Sequence, residues 1–408
     1  MTLQSGKMYR PTDVTFDIGN DTVYVVEQFN HRISKWNYTA GSFDFTIDAG
    51  QVTTLSLDNV GSGYVAPTLV FSAPDLDIAN PVTATGTIGQ TAGNLDSLLL
   101  TDGGNGYSVA PTVTVVDSAG INGAVSVSAI NAPWGNNGDG TTGQAGPIGA
   151  GDSTDNNLYR PSGIVFDVTN TLLYVTDTFH NRVRVITPST GAFTTSIGTG
   201  GSGTSDFYRP AGIAIATALD DVVVIADELN QRAVRYTTNG STLVTPSVLT
   251  DPSVTTGLSF VRPHGVVYDV TDDSFNIGDS LRSKISAYTK SGTFVNQYGT
   301  PGSTVDNVNL FYPSSGKGVL TGTGGPATIF ADTRNNALKT MNNETIALTT
   351  GTTDGTGNGE LYWPESVVAA VDTSQYVLAA NTYNNRVEIF SSAVAVLTSQ
   401  SPFNFGSP

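Results

Sequence analysis

The chain has 408 residues, 38% of them hydrophobic, and a mean hydropathy of −0.04, which excludes a disordered chain and predicts a soluble globular protein with a large core. Its 18 Lys and Arg against 35 Asp and Glu give a formal net charge of −17, which disfavours binding to nucleic acid. The absence of Cys excludes disulfides and thiolate metal sites, and no apolar run approaches the roughly 20 residues of a membrane-spanning helix.

Two further features of composition bear on compartment and fold class. The segment from Met1 to Pro11 has no apolar signal-peptide core, so we expect synthesis in a cytoplasm and no membrane insertion. Gly, Ser, Thr and Asn are abundant, and short alternating runs of Val, Ile, Tyr and Phe end at Gly or Asn-Gly. The sequence therefore predicts an all-β protein with almost no helix.

The first repeat unit lies at the start of the chain. It has three parts: Tyr9-Arg10-Pro11 before an apolar strand, a second strand that ends at Glu27, and a third strand that begins near Arg32. The acidic residue and the basic residue are five positions apart. The next unit of this kind begins only at Pro161, 150 residues after Pro11, so we predict an inserted module between them.

The predicted insertion, residues 47–132, contains its own twofold repeat. Gly61-Ser62-Gly63-Tyr64 precedes Ala66-Pro67-Thr68, and the run from Gly103 to Tyr107 precedes Ala110-Pro111-Thr112. Each copy indicates a strand, a glycine turn and another strand, so we predict a small β domain. A structureless loop of about 90 residues would be unusual in a compact protein.

Five further copies of the first pattern follow the insertion. Their opening dipeptides are Arg160-Pro161, Arg209-Pro210, Arg262-Pro263, Tyr312-Pro313 and Trp363-Pro364. The acid and base pairs in the first four copies of the chain are Glu27 and Arg32, Asp177 and Arg182, Asp227 and Arg232, and Asp279 and Lys284. The fifth copy has Ala337 in place of the base, and the sixth has Asn381 in place of the acid. A spacing of about 50 residues is typical of one four-stranded propeller blade.

These motifs resemble the NHL repeat family, with its Pro-Gly-apolar strand, a strand ending in Asp and an Asn-His-Arg step. The resemblance implies a six-bladed β-propeller over residues 1–46 and 133–408, with residues 47–132 inserted in the first blade. Either Met1 to Met8 or Val394 to Phe405 could close the ring. The insertion resembles the Gly-x-Gly-Tyr repeats of bacteriophage tail fibres and other virion appendages.

A ring of equivalent blades would bring the residues before the opening prolines to one face. They are Arg10, Arg160, Arg209, Arg262, Tyr312 and Trp363. Guanidinium groups with Tyr and Trp rings could hold an anionic or carbohydrate ligand there. Alternatively, each Arg pairs with an Asp or a carbonyl of the next blade. We interpret the acid and base pairs as structural, because buried charges need partners.

We find no catalytic motif. His31, His180 and His264 occupy different repeat positions, so we do not expect a three-histidine zinc site. Pro263-His264-Gly265 resembles one zinc-ligand motif of the peptide-amidating lyases, whose other ligands are missing at the equivalent positions. Gly316-Lys317-Gly318 lacks the Ser or Thr of a phosphate-binding loop.

The resemblance to virion appendages implies a non-enzymatic structural or adhesion protein of a phage virion, assembled in the host cytoplasm and released outside it. Its partners would be other virion proteins or a host surface glycan, and edge strands of the insertion could pair in a homo-oligomer. We expect no cofactor. Two alternatives remain open: a metal-dependent propeller enzyme of lyase or lactonase type, and an intracellular NHL interaction scaffold.

Overall fold

The chain folds almost entirely as antiparallel β-sheet, which confirms the predicted all-β class. The computed structural model describes residues 10–20, 22–29, 32–39, 42–44, 51–74, 83–104, 107, 110–131, 158–188, 192–216, 221–239, 242–252, 254, 257–270, 272–301, 309–310, 312–314, 316, 319–322, 325–342, 345–350, 355, 360–369, 376–391 and 398–399. The helical elements within these ranges are three-residue 3-10 turns: Ile18–Asn20, Thr178–His180, Glu228–Asn230, Thr333–Asn335 and Thr382–Asn384. No described helix is long and apolar enough to cross a membrane.

The chain divides into two compact units. The described part of one lies within Phe45–Gly135, and the described part of the other lies within Met8–Asp44 and Asn136–Pro408. The second unit is a β-propeller. We number its four-stranded sheets 1 to 6 in chain order.

Each of these sheets has its strands in simple sequence order. Sheet 1 contains β1 (Pro11–Asp17), β2 (Thr22–Glu27), β3 (Arg32–Thr39) and β4 (Ser42–Asp44). Sheet 2 contains β11 (Ile164–Asp167), β12 (Leu172–Asp177), β13 (Arg182–Thr187) and β14 (Ala192–Ile197). Sheet 3 contains β15 (Pro210–Ala216), β16 (Val222–Asp227), β17 (Arg232–Thr238) and β18 (Leu243–Leu249).

The remaining strands of the propeller follow the same order. Sheet 4 contains β19 (Pro263–Asp269), β20 (Ser274–Asp279), β21 (Lys284–Thr289) and β22 (Phe294–Tyr298), and a short parallel pair, β23 (Thr300–Pro301) and β24 (Asn309–Leu310), follows it. Sheet 5 contains β25 (Val319–Gly322), β26 (Gly325–Asp332), β27 (Ala337–Asn342) and β28 (Thr345–Thr350). Sheet 6 contains β29 (Pro364–Ala369), β30 (Tyr376–Asn381), β31 (Arg386–Ser391) and β32 (Thr398–Ser399).

The core of the propeller lies between consecutive sheets. Strands β2, β16 and β20 are buried at every position. The sequences of β2 and β16 are accordingly apolar on both faces instead of alternating. One apolar cluster joins sheets 2 and 3, another joins sheets 3 and 4, and a third joins sheets 5 and 6. A further cluster joins sheets 4 and 5, so sheets 3, 4 and 5 are each packed by neighbours on both faces, as propeller blades are.

Sheet 1 contacts sheets 2 and 6, although both are distant in sequence. Asp13 forms hydrogen bonds with both neighbours. Its carboxylate accepts the N–H of Ile164 in sheet 2 at 2.8 Å and the hydroxyl of Ser366 in sheet 6. Thr382 of sheet 6 donates to the carbonyl of Pro11 at 2.7 Å. The fourth strand of sheet 6 comes from the tail segment that we considered for closure, while Met1 to Met8 lie outside the described residues.

The unit within Phe45–Gly135 is built from three two-stranded antiparallel ribbons. They pair β5 (Gln51–Ser62) with β10 (Ile121–Asn131), β6 (Thr68–Phe71) with β9 (Val113–Val116), and β7 (Thr85–Thr91) with β8 (Asn94–Asp102). Two apolar clusters fill it, and each has one tyrosine of the internal repeat at its centre, Tyr64 or Tyr107.

These two tyrosines play equivalent parts. The Tyr64 hydroxyl accepts the N–H of Gly123 at 2.8 Å, and the Tyr107 hydroxyl accepts the N–H of Ala84 at 2.8 Å. Both rings are buried, so the hydroxyls satisfy backbone groups that water does not reach. Glycines from two segments give the Tyr64 ring its space: a Cβ at Gly61 of the motif would lie 2.7 Å from that ring, and one at Gly120 would lie 2.1 Å from it.

Replacing Gly120 by Ala is expected to lower the free energy of unfolding of this unit by about 1–3 kcal/mol, because the added methyl overpacks a buried ring. Thermal unfolding monitored by circular dichroism measures the change. Gly19→Ala is the control, since a Cβ there would meet its nearest neighbour at 3.5 Å. Equal unfolding temperatures for both variants would show that the Tyr64 ring has room to move.

Asp117 holds two turns of the same unit through its carboxylate. It accepts the N–H groups of Ala119, Gly120, Ala66 and Val65, and these hydrogen bonds, with Ala119 the largest contributor, lower the pKa of Asp117 to about 2. A lowered pKa contributes stability above the ordinary value of 3.8 that is lost as the pH falls towards about 2. Acid titration of unfolding should therefore show a smaller loss in this range for Asp117→Asn than for Asp58→Asn, whose side chain is exposed. Identical titrations would contradict this assignment.

Candidate functional site

The acid that ends the second strand of a sheet organises one face of the propeller. In sheet 2, Asp177 Oδ1 accepts the N–H of Tyr159 at 2.6 Å, and Oδ2 accepts Arg182 Nε at 2.8 Å. His180 Nδ1 lies 2.9 Å from the same Oδ2. Asp177, His180 and Arg182 are all buried, so this carboxylate is compensated inside the sheet and is not presented to a ligand.

The equivalent pair in sheet 3 also joins the sheet to the preceding glycine-rich segment. Arg232 Nε lies 2.8 Å from Asp227 Oδ2, and the other guanidinium nitrogens donate to the carbonyls of Ser202, Gly203 and Asp206 at 2.6–3.0 Å. These contacts fix the crossing between sheets 2 and 3.

Sheets 1 and 4 place their predicted pairs differently. Asp279 Oδ2 lies 3.8 Å from Arg282 Nε, and Lys284 instead donates to the carbonyl of Gly299. In sheet 1, Glu27 is buried, while the side chain of Arg32 lies outside the described part of the chain.

The fifth and sixth copies each lack one charged residue of the motif. In both, a charged residue two positions after the first residue of the third strand forms an ion pair instead. Lys339 Nζ lies 2.8 Å from Asp332 Oδ2, and both side chains are fully buried. In sheet 6, Arg386 Nε lies 2.6 Å from Glu388 Oε2. Residues two apart on a strand lie on the same face of the sheet, so Lys339 and Glu388 lie on the same face as the first residue of the third strand.

Five of the six residues before the opening prolines have an unusual backbone. Arg10, Arg160, Arg209, Tyr312 and Trp363 have positive φ angles between 46° and 66°. This left-handed conformation is costly for residues other than Gly, by about 1 kcal/mol or more.

An Asn of the preceding sheet stabilises this conformation. Asn385 Oδ1 accepts the N–H of Arg10 at 2.9 Å, Asn181 Oδ1 accepts that of Arg209 at 2.9 Å, and Asn336 Oδ1 accepts that of Trp363 at 2.6 Å. These Asn residues end the 3-10 turns and also have positive φ, which Asn tolerates. The same hydrogen bond thus joins sheet 2 to 3, sheet 5 to 6 and sheet 6 to 1.

Replacing Asn385 by Gly is expected to lower the free energy of unfolding by about 1 kcal/mol, because Gly keeps the positive φ but leaves the N–H of Arg10 without this acceptor. Chemical denaturation measures the change. Gln231→Gly, at the equivalent position of sheet 3, is the control. The hydrogen-bond assignment fails if both variants have the same stability.

The six residues before the prolines belong to a belt of ten cations and aromatic rings. We use "belt" for these residues together with four from the turns between the second and third strands. The belt contains Arg10, Phe29, Arg160, Phe179, Arg209, Arg262, Tyr312, Arg334, Trp363 and Tyr383.

In one sector the arginines precede prolines and the rings come from turns. The Arg10 guanidinium lies 4.8 Å from the Phe29 ring, and Arg160 lies 4.8 Å from Phe29 and 5.0 Å from Phe179. The Arg209 guanidinium lies 4.3 Å from the centroid of the same Phe179 ring.

In the other sector the roles are exchanged. Tyr312 and Trp363 precede prolines, and the turn residue Arg334 lies 5.5 Å and 5.1 Å from their ring centroids. Trp363 contacts Tyr383 at 5.3 Å, and Arg10 lies 5.2 Å from Tyr383, which joins the two sectors. Cations over ring faces are favourable by about 0.5–2 kcal/mol each.

A polar cluster adjoins the second sector. Arg262 bonds to Glu228, His264 Nδ1 lies 3.7 Å from Glu228 Oε2, and Arg10 lies 3.7 Å from Glu365 Oε1. His264 Nδ1 is inaccessible to solvent and makes no hydrogen bond within the described residues. The His264 ring also packs 5.3 Å from that of Tyr312.

Burial and charge set the protonation of this cluster. Burial opposes the charged form of His264, but the carboxylates of Glu228 and Glu365 outweigh it and raise the pKa of His264. Burial also opposes ionisation of Glu228, yet His264 and Arg262 lower its pKa. Burial raises the pKa of Glu365, and burial raises that of Tyr312 to about 12. The cluster therefore offers both donors and acceptors of hydrogen bonds.

The predicted site residues thus lie close together, and their guanidinium groups and rings stack on neighbouring residues of the belt. The sequence suggested that arginines either converge on a ligand or pair with the next blade. Arg10 and Arg262 have carboxylate neighbours, whereas Arg209 has no carboxylate within 4.0 Å in the described parts of the chain. Of the histidines, His180 and His264 lie in separate sheets, and His31 lies outside the described residues.

Sequence reasoning missed the turn half of the belt. Phe29, Phe179, Arg334 and Tyr383 each stand two positions after the acid or amide that ends the second strand. That constant position was the available signal. No group of three or more His, Asp or Glu has the arrangement of a metal site among the residues that the structure describes.

Comparisons with known proteins find structural similarity without sequence similarity. No family model and no curated protein matches the chain. A streptogramin B lyase structure matches with a TM-score of 0.48 and 10% identity, over 100% of this chain and 87% of that one. Hydrazine synthase of Kuenenia stuttgartiensis matches with a TM-score of 0.46 and 12% identity, over 97% and 98% of the two chains. A nidogen/laminin complex matches with a TM-score of 0.41 and 19% identity, over 59% and 79%. The structural neighbours are β-propeller proteins.

Proposed function

We propose that this protein is a non-enzymatic, carbohydrate-binding component of a phage virion appendage, with the propeller as a rigid platform for a host glycan. The observation that carries the proposal is the pairing of an exposed tyrosine, Tyr362, with Tyr383 of the belt. The rings of Tyr362 and Tyr383 lie 5.3 Å apart and are 44% and 45% exposed, next to the polar cluster. Exposed aromatic rings beside hydrogen-bonding groups suit stacking on sugar faces.

We infer that the platform is a closed ring of six NHL-type blades. Sheet 1 contacts sheets 2 and 6, and the Asn hydrogen bond at the junction of sheets 6 and 1 repeats that between sheets 2 and 3, which supports this arrangement. Residues 47–132 would be a domain inserted in the first blade. A ring of this kind holds the belt residues in fixed relative positions, which lowers the entropy lost on binding.

The virion assignment is supported by the Gly-x-Gly-Tyr repeats of the insertion, whose tyrosines occupy equivalent buried positions. Released virions would carry the protein outside the host, where a glycan is available, and other virion proteins would anchor it. Mass spectrometry of purified virions tests this part separately. Absence of the chain from virions would remove the virion assignment and leave the binding function to be tested alone.

A glycan array with the purified protein tests the binding function. We expect specific glycans to bind, and the double variant Tyr362→Ala, Tyr383→Ala to lose about tenfold or more in affinity. Tyr208→Ala is the matched control, because Tyr208 occupies the position of Tyr362 in sheet 3 and is 47% exposed. An empty array, or equal losses in both proteins, would overturn the proposed site.

A further inference from the structure

The residues that directly follow the opening prolines hold an equivalent place in the repeat. They are Thr12, Ser162, Ala211, His264, Ser314 and Glu365. Thr12 donates its hydroxyl to the carbonyl of Ser162 at 2.9 Å. The hydroxyls of Ser162 and Ser314 accept hydrogen bonds from other side chains at 3.3 Å and 2.7 Å. His264 and Glu365 are the two members of this set with ionisable side chains, and both belong to the polar cluster beside the belt.

Glu365 has a buried carboxylate that makes no hydrogen bond within the described parts of the chain. Its side chain is 9% exposed, and Arg10 Nη2 lies 3.7 Å from its Oε1, which is longer than a normal hydrogen bond. Neither oxygen is closed off from solvent. A carboxylate can accept about four hydrogen bonds, and a buried one is costly unless such bonds are made. The Glu365 side chain is therefore placed to accept hydrogen bonds from a ligand.

His264 presents one of its two ring nitrogens in the same cluster. Nδ1 is inaccessible to solvent and lies 3.7 Å from Glu228 Oε2. Nε2 makes no hydrogen bond within the described residues and keeps contact with solvent. Burial, Glu228 and Glu365 act on the pKa of His264, and burial and His264 act on the pKa of Glu365, so the side chains of His264 and Glu365 lie close enough to interact.

A row of five aromatic rings connects this cluster to the exposed tyrosines. In order, the rings are those of His264, Tyr312, Trp363, Tyr383 and Tyr362, with neighbouring centroids 5.3–6.3 Å apart. Arg10 forms a second connection, because its guanidinium lies 3.7 Å from Glu365 and 5.2 Å from the Tyr383 ring. A sugar stacked on the tyrosines therefore has the polar cluster next to it, within reach of a neighbouring sugar of the same glycan.

The charges of the cluster favour an uncharged sugar at this position. Arg262 bonds to Glu228, and Arg10 lies beside Glu365, so each guanidinium already has a carboxylate neighbour. An acidic sugar group at Glu365 would bring two negative charges together, and an amino sugar would bring its ammonium group close to Arg10 and His264. A neutral hydroxyl donates to a carboxylate without either repulsion.

We propose that Glu365 determines which sugar is bound, by accepting hydrogen bonds from the hydroxyls of an uncharged sugar unit next to the one that stacks on Tyr362 and Tyr383. This inference rests on the proposed carbohydrate-binding function and names the class of sugar and the residue that selects it. His264 Nε2 forms a further hydrogen bond with the same unit. Hydrogen bonds to an ionised carboxylate are stronger than those to a neutral group, so the charge of Glu365 should contribute about tenfold or more to the affinity.

A glycan array with three classes of probe tests the class of sugar. The probes are neutral oligosaccharides of mannose, galactose or glucose, acidic ones that end in sialic acid or glucuronic acid, and basic ones of glucosamine. We expect the unmodified protein to bind neutral oligosaccharides, and to bind the charged ones at least about tenfold more weakly. Because this test needs no variant, the proposal can fail even if a variant at Glu365 does not fold.

A matched pair of variants tests the role of Glu365. Glu365→Gln keeps the size of the side chain and removes its charge, and we expect it to bind the same neutral oligosaccharides about tenfold or more weakly. Asp273→Asn is the control, because it makes the same change of carboxylate to amide on an exposed residue between β19 and β20, at the end of sheet 4 away from Pro263. Its binding should equal that of the unmodified protein. Circular dichroism shows whether both variants are folded.

The possible failures are distinguishable. If acidic or basic oligosaccharides bind as tightly as the neutral ones, the uncharged class is overturned and the carbohydrate-binding function stands. If folded Glu365→Gln binds neutral oligosaccharides as tightly as Asp273→Asn does, Glu365 is not the residue that selects the sugar. If the array is empty for the unmodified protein, the proposed function fails together with the inference.

Discussion

Replacing Asp13 by Ala is expected to lower the free energy of unfolding of the propeller by about 3 kcal/mol or more. Asp13 is buried and accepts the N–H groups of Val14 and Ile164, each at 2.8 Å, and the hydroxyl of Ser366. Each donor left buried without a partner costs about 1–3 kcal/mol. Because these donors belong to three different sheets, the loss falls on both junctions of sheet 1. Urea unfolding followed by circular dichroism measures the effect.

Two comparisons separate this cause from a general effect of removing a carboxylate. Asp58→Ala removes an exposed carboxylate and should change stability by no more than about 0.5 kcal/mol. Ser366→Ala removes one of the three donors and should be milder than Asp13→Ala. A stable Asp13→Ala protein would show that the junctions of sheet 1 depend on apolar packing alone.

Replacing Lys339 by Met should lower the free energy of unfolding by about 3–5 kcal/mol. Lys339 and Asp332 are both fully buried, 2.8 Å apart, and Met leaves the carboxylate of Asp332 inside sheet 5 without its cation. Met has nearly the same length as the aliphatic part of Lys, so packing changes little. Chemical denaturation at neutral pH gives the difference.

The double variant Lys339→Met, Asp332→Asn tests whether charge is the cause. Asn removes the unpaired charge and can still accept from the amide of Asn335, which bonds to Asp332 at 2.8 Å. We expect the double variant to regain a large part of the lost stability. If the single and double variants are equally unstable, the loss comes from packing around Lys339 and the ion pair is not its source.

The all-β propeller class could be predicted from the sequence because its signals repeat. Proline spacing of about 50 residues, an acid at the end of the second strand and a base five positions later identify one sheet after another. The ion pairs of sheets 5 and 6 could not be predicted in the same way. Lys339 and Glu388 supply the missing charges from two residues along the third strand, which follows from the period of a strand but from no fixed motif position.

The sequence pointed to six of the ten belt residues, those before the prolines. The residues before the prolines are marked by their neighbour, whereas the turn residues such as Phe179 and Arg334 share a position and no chemistry. Their part appears only when consecutive sheets are adjacent, since Phe179 lies beside Arg209 of the next repeat and Arg334 lies beside the Trp363 ring of the next repeat. The Asn that fixes the left-handed residue before proline acts across the same junction. The spacing of residues within one repeat predicts neither the ring contacts nor the Asn hydrogen bond, because both join two repeats.

The two junctions of sheet 1 differ from the others in how much chain they enclose. Hydrogen bonds between sheets 2 and 3 join residues 32 and 35 positions apart. Hydrogen bonds between sheets 1 and 2 join residues 150 and 151 apart, and those between sheets 6 and 1 join residues 353, 371 and 375 apart. Closing a loop about four times longer costs roughly 1 kcal/mol more in chain entropy, and contacts of high sequence separation form slowly. During folding, sheets 2 to 6 should therefore assemble by successive local steps, and sheet 1 should be the last to dock and the first to detach.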